Sequence, residues 1–303
     1  MTTLPDLGQN PLDVDKPDQD DLTLWSVTTI IGALDKPALL YWSAEMAAIA
    51  AVDNQSTWQA MLEDRGRDET IKWIRDARNR RPKNRLSAAE LGTVTHKVCE
   101  QYALSGSQPT ADDITDLIRS IGSAQTDITA EALTVVAMLE QFDRWLQRFT
   151  PSYQATEVTV YSPEYGYAGT LDAMLTIDGV RFITDYKTSR EPYDSRGKPR
   201  APYPEQVGLQ LGAYRHADMA AVWRPRRYEK QFRRYYALSA AEQALAVPVP
   251  EVDTGLVIHI TPEACDAYPI ICDEEVHAAF LYCLECFRWL NETSKTVMGQ
   301  PLQ

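Results

Sequence analysis

The chain has 303 residues and a net charge of −13, with 44% hydrophobic and 24% charged residues. That composition is ordinary for a globular protein able to bury a substantial core, and the acidic balance argues against a protein that coats nucleic acid non-specifically. No apolar run reaches the roughly 18–20 residues that span a bilayer, and no basic region followed by an apolar stretch opens the chain, so a cytoplasmic protein without membrane contact is expected.

In chain order, residues 1–24 hold six Asp and one Lys, a net of −5, and read as an acidic disordered tail. Residues 25–303 read as one domain, mainly helical over 25–150, with a sheet core and a closing helix over 151–303. Lys36 to Val52 is Ala-rich and apolar, and Trp58 to Ile74 carries large apolar residues at helical spacing. Arg65 to Arg85 holds nine Lys or Arg, including Arg78, Arg80, Arg81, Lys83 and Arg85. Ser87-Ala-Ala-Glu90 has the form of a capping box and opens a helix reaching about Leu104. A further helix spans about Thr129 to Phe149, and Pro151 ends it.

The texture then changes to strands. Gln154 to Tyr161 alternates, and a hairpin follows around Asp178-Gly179. Pro204 to Trp223 reads as a helix with Pro near its first turn. Gly255 to Thr261 looks like a buried strand, Ala267 to Cys272 another, and Asp273 to Leu290 the closing helix; Ser239 to Asp253 carries no clear pattern. Two more basic clusters, Arg190 to Arg200 and Arg224 to Arg234, are either solvated faces or a local phosphate-binding surface. The five cysteines (Cys99, Cys265, Cys272, Cys283 and Cys286) form an odd, sparse set that reads as free thiols.

The hairpin carries most of the chemistry. Asp-Gly is the strongest short signal for a two-residue hairpin turn, and it pairs residue 177 with 180. Asp172 then faces Asp185. Facing Cβ atoms are about 4.5–5.5 Å apart, where like charges are destabilising, so the pair needs a cation between them or one must take up a proton. Lys187 shares the side of Asp185. Leu171, Ala173, Leu175, Ile177, Val180 and Phe182 line the other side, a core-facing surface extended by Thr184 and Tyr186. The arrangement reads as a metal site with a lysine beside it; a solvated hairpin face with a surface Asp–Lys pair is the plain alternative.

Five elements in order, Gly92-Thr-Val-Thr-His96, Glu157, Gly169-Thr-Leu-Asp172, Asp185-Tyr-Lys187-Thr-Ser and Gln210-Leu-Gly-Ala-Tyr214, together resemble the PD-(D/E)XK nuclease superfamily, in its RecB-like exonuclease branch. The resemblance covers roughly Leu91 to Tyr214. It implies an α/β fold with a restriction-endonuclease-like core, a central mixed β-sheet flanked by helices, and a helical N-terminal half. It implies a DNA nuclease dependent on Mg²⁺ or Mn²⁺, an exonuclease before a structure-specific endonuclease, acting in recombination, repair or phage DNA metabolism. Such a protein belongs in a bacterial or phage-infected cell, acts on linear single- or double-stranded DNA, and has a helicase or recombination protein as a partner. A catalytically silent nucleic-acid-binding or assembly protein is the alternative of a different class.

By the same resemblance Asp172, Asp185, Lys187 and Glu157 are the catalytic set. His96, Asp172, Asp185 and the backbone carbonyl of Tyr186 are the metal ligands. Gln210, Tyr214, Arg190, Arg196, Lys198 and Arg200 position DNA. His96 also fits a plain core or surface histidine, Glu157 an exposed strand carboxylate, and Gln210 with Tyr214 a packing pair on one helix face. The iron–sulfur cluster of some RecB-like nucleases is not expected, because Cys99 follows His96 and Cys283-Leu-Glu-Cys286 lacks a third close partner.

Overall fold

The computed structural model describes residues 20–34, 37–79, 84–193, 197–223, 225–230 and 233–300. Residues 1–19, with Arg80, Arg81, Lys83, Arg196 and Arg224, lie outside them. Among the described residues no helix is long and apolar enough to cross a membrane.

The first described element is a strand, β1 (Leu22–Ser26). It begins inside the segment expected to be disordered to residue 24, because Leu22-Thr-Leu-Trp25 is an alternating strand sequence placed directly after the aspartates. It runs into α1 (Val27–Ile31), whose Val27, Ile30 and Ile31 are buried. Three helices follow: α2 (Pro37–Asp53), α3 (Gln55–Arg65) and α4 (Arg67–Arg75). The expected single helix from Trp58 to Ile74 is two, broken at Gly66, whose φ of 83° glycine adopts without strain.

The expected capping box opens α5 (Ala88–Ser105): the Ser87 hydroxyl accepts the Glu90 N–H at 3.1 Å, and Glu90 accepts the Ser87 N–H at 2.7 Å. A helix absent from the sequence reading, α6 (Ala111–Ile121), has its own capping box at Thr110. The last helix of this half, α7 (Ile128–Phe149), is capped by Asp127 and starts one residue before its expected position.

The second half builds the sheet from β2 (Ser152–Ser162), β3 (Tyr167–Ile177) and β4 (Val180–Thr188). Then come α8 (Pro204–Arg215), β5 (Met219–Ala220), β6 (Arg227–Lys230), β7 (Arg233–Leu238), α9 (Ala240–Leu245) and β8 (Val247–Pro248). The chain closes with β9 (Thr254–Ile260), β10 (Cys265–Ile270) and α10 (Glu274–Asn291). The helix expected to reach Trp223 stops at Arg215, and β5 takes up the residues after it. Of the cluster expected around Arg224 to Arg234, Arg227 and Lys230 fall on β6 and Arg233 and Arg234 on β7.

The sheet runs β10-β9-β4-β3-β1-β7-β6, with β2 on the remaining edge of β3 and the short β5 and β8 beyond it. Pairing is parallel for β4 with β9 and for β1 with β3, and antiparallel elsewhere, so the sheet is mixed, as expected. Helices cover both faces. One face packs Leu171, Met174, Ile183 and Val257 against α1, α8 and α10; the other packs Ala173, Leu175, Tyr186 and Ile258 against α5, α6 and α7. Phe142 and Trp145 of α7 are buried there, each contributing on the order of 2–3 kcal/mol.

The expected core-facing side holds only in part. The side of Asp185 and Lys187 buries Met174 and Ile183 as well, because helices close both faces. Leu171 also lies there, although Ala173 and Leu175 lie on the opposite face. An unbroken strand would put residues 171 and 174 on opposite sides, so β3 slips by one face at Asp172. Its neighbour β2 slips at the same level: Ala155 and Val158 share a face, and Glu157 between them has a φ of 52°. Because both strands slip together, their pairing is kept on either side, Thr156 with Ala173 and Val158 with Leu171.

Where α8 meets α10, the rings of His216 and His277 stack at 4.8 Å, and His277 Nε2 lies 3.2 Å from the Tyr167 hydroxyl. Burial, and then the neighbouring His216, push His277 down to about 4, with Asp218 opposing weakly. The unfolded chain therefore takes up a proton near pH 6.5 that the folded chain refuses until about pH 4, so this histidine costs stability as pH falls through that window. His277→Gln should narrow the loss. The urea midpoint of the variant, relative to wild type, should rise steadily between pH 7 and pH 5.

Candidate active site

The β3–β4 ladder has the expected register, from Ile177 with Val180 to Ala173 with Thr184. The ladder stops there. Further along the same edge of β3, β1 takes over and pairs Trp25 with Tyr167 and Ser26 with Ala168. Gly169 to Asp172 thus sit where neither strand pairs with that edge, while β2 holds the opposite edge. Instead of a ladder bond, Asp172 Oδ2 accepts the backbone N–H of Tyr186 at 2.5 Å. The side chain of Asp172 does what a strand carbonyl would otherwise do, and its other oxygen takes a second partner.

That oxygen meets α5. His96 Nδ1 lies 3.3 Å from Asp172 Oδ1, and the His96 ring stands edge-on to Tyr186 at 5.8 Å. α5 lies against β4 at Gly92, where an added Cβ would be in ordinary contact, 3.4 Å, with the Thr188 hydroxyl. Tyr186 is buried, and its hydroxyl is 3.1 Å from that of Tyr153.

Asp185 is reached from the other face. It is only 4% exposed, and Lys187 forms an ion pair with its Oδ2. Gln210 of α8 donates to Asp185 Oδ1 at 2.7 Å and to the Tyr214 hydroxyl at 3.2 Å, and it accepts from Lys187 Nζ at 3.4 Å. The Tyr214 ring lies directly on Gly169: a Cβ there would come within 2.2 Å of Cε1. Gly169 was legible as a motif residue, but its reason, a seat for Tyr214, appears only in three dimensions.

The two carboxylates are driven apart electrostatically. Burial alone would raise Asp172, yet the charge and hydrogen bond of His96, with the Tyr186 N–H, hold it below its ordinary range. Burial raises Asp185 and the charge of Asp172 adds to it, so Lys187 offsets the rise only in part. Burial would lower both cations; Asp172 outweighs it at His96, and Asp185 at Lys187, leaving both raised. Opposite shifts in adjacent acids mark a working site more often than a structural one.

Carboxylate oxygens suit a hard divalent cation, and the imidazole beside them is the softer donor of the set. Asp185 Oδ2 is buried with the Lys187 ammonium as its partner, and a carboxylate oxygen so paired keeps a lone pair that can serve a cation. Among the described residues, no three His, Cys, Asp or Glu side chains are gathered as a complete metal site: His96 is turned onto Asp172 and Lys187 onto Asp185.

The remaining expected residues divide. Glu157 lies on β2 at the level of Asp172, held in its left-handed backbone conformation, a strain that tends to persist at functional positions. Arg190 is not with the cluster. It donates to Glu131 of α7 at 2.6 Å, and Glu131 is 1% exposed, so this arginine is turned inward. Arg200 is exposed, yet its Nε donates to the Tyr193 carbonyl at 3.1 Å and it pairs with Glu191 at 3.6 Å. Lys198 is exposed on the same loop, and Arg196 lies outside the described residues.

The family model of the PD-(D/E)XK nuclease superfamily matches residues 70–275, more than half the chain. The chain belongs to that superfamily. No curated protein matches it. Among solved structures it is similar to that of SSO0001, at 15% identity and a TM-score of 0.28, covering 71% of this chain and 80% of that one. It is also similar to a protein of Eubacterium rectale described as a "Putative exonuclease", at 12% identity and a TM-score of 0.39, covering 76% of this chain and 83% of that one.

Two substitutions test the geometry. Gly169→Ala should displace Tyr214 and lower stability by about 1–3 kcal/mol, the usual cost of overpacking, read from the urea midpoint. Arg190→Ala should leave Glu131 a buried unpaired charge and cost about 3 kcal/mol. An arginine that only gripped a ligand would leave the midpoint unchanged.

Proposed function

We propose that this protein is a metal-dependent deoxyribonuclease that degrades DNA from an end, an exonuclease of RecB-like type. The observation that carries the reading is the convergence of His96, Asp172, Asp185, Lys187 and Gln210 on the opened edge of β3. Membership of a nuclease superfamily supports it from an independent direction.

In this reading Asp172 and Asp185 hold Mg²⁺ or Mn²⁺, with His96 and the carbonyl of Tyr186 as further ligands and Glu157 contributing directly or through water. Bound there, the ion supplies Lewis acidity to the phosphoryl oxygen and makes water nucleophilic at neutral pH. Lys187 stabilises the charge that develops on the scissile phosphate. Gln210 is a positioning residue: its amide fixes Asp185 through the N–H and Lys187 through the carbonyl. Tyr214, seated on Gly169, fixes Gln210 in turn. Recombination, repair and phage DNA metabolism, with a helicase or recombination partner, are the settings in which such an activity serves.

End-labelled linear DNA and closed circular DNA, each incubated with Mg²⁺, Mn²⁺ or EDTA, test the proposal. Linear DNA should be degraded with either metal and spared in EDTA, while circles persist. Asp185→Ala and Lys187→Ala should each lower the rate by about 10²-fold or more. Nicking of circles would reassign the protein as an endonuclease, and binding without cleavage under every metal condition would sink the enzymatic reading.

A further inference from the structure

The loop from β4 to α8, residues 189–203, leaves the strand of Lys187 and enters the helix of Gln210. Its basic residues were the expected DNA contacts, yet Arg190 is bound to buried Glu131 and Arg200 is bound to the loop itself. Among its described residues the loop presents, beside exposed Lys198, two large rings: Tyr193 is 50% exposed and Tyr203 is 55% exposed.

Both are fixed at the backbone. Tyr193 bridges to Pro199, and the Arg200 N–H donates to the Pro192 carbonyl at 2.8 Å. Tyr203 is the N-cap residue of α8, its carbonyl accepting the N–H groups of Gln206 and Val207, each at 3.1 Å. Tyr203 precedes Gln210 by seven residues, roughly 10 Å along the axis of α8. One to two nucleotides of an extended strand cover that distance. A large ring exposed on a rigid backbone loses little conformational freedom on binding, and nucleic-acid bases stack on such rings without regard to sequence.

We propose that Tyr203, with Tyr193 on the same loop, is a stacking platform for unpaired bases next to the scissile phosphate, making single-stranded DNA the preferred substrate. In duplex DNA the bases are already stacked on one another and offer no face to the ring, so a duplex must fray at its end before it engages. The inference rests on the nuclease reading for its choice of ligand, and base stacking is what it adds.

The test is fluorescence anisotropy in EDTA, with full-length protein and three labelled probes: oligo-dT, an abasic strand of equal length, and a blunt duplex. Tyr203→Ala should weaken oligo-dT binding by about 5- to 100-fold, and Tyr203→Phe should restore it, while abasic-strand affinity stays unchanged. In hydrolysis assays with Mg²⁺, the same Ala variant should raise KM for single strands far more than it lowers kcat. Equal affinity of wild type and Tyr203→Ala for oligo-dT would overturn the proposal, as would equal losses on oligo-dT and the abasic strand. Wild type that binds oligo-dT through Tyr203 yet cleaves nothing would sink the nuclease reading and leave the stacking platform standing.

Discussion

The bond from the Tyr186 backbone N–H to the Asp172 carboxylate is the interaction on which the rest of the site depends. It falls where the β3–β4 ladder ends and before β1 begins to pair. A sheet interior leaves no room for two acids and a lysine, since every edge position is taken by a neighbouring strand. Opening one edge of β3 over Gly169 to Asp172 creates that room, and the side-chain bond repairs the backbone polarity that opening would leave unsatisfied. Helices on the two faces then each deliver one partner: α5 brings His96 to Asp172, and α8 brings Gln210 to Asp185.

The simultaneous face change in β2 and β3 explains how the opening is tolerated. A slip in one strand alone would move its remaining side chains to the wrong face. With both strands slipping at Glu157 and Asp172, apolar residues on either side stay in the core; a separate register shift in β2 lies between Tyr153 and Ala155. The unfavourable φ of Glu157 is offset by the packing of Val158, Val160 and Leu171 around it, all fully buried.

Much of this was legible in the sequence, for identifiable reasons. Asp178-Gly179 fixed the hairpin register, and Ser87 with Glu90 fixed the start of the helix carrying His96, because turns and caps are local chemistry. The spacing of Gln210 and Tyr214 placed them on one face of α8. Local signals could not show that Met174 and Ile183 meet helices distant in the chain, or that β3 changes face at Asp172. Nor could they show that Arg190 finds Glu131, 59 residues earlier and on another element. The basic loop therefore read as a phosphate surface, whereas folding turns one arginine inward and binds another to the loop. Leu22 to Ser26 escaped notice for the opposite reason: aspartates just upstream masked a short strand that pairs with Tyr235 to Leu238 far along the chain.

The parallel pairing of β4 with β9 has a consequence for the order in which the molecule is made. Phe182 to Thr188 is partnered by Thr254 to Ile260, so the strand bearing Asp185 and Lys187 remains an open edge until some seventy more residues have been synthesised. Parallel pairs of this separation close slowly, and domains emerge from the ribosome N-terminal part first. The acids and the lysine are therefore present in the nascent chain well before the strand that carries them is braced. A truncated translation product ending before β9 would carry the site residues without the frame that aligns them.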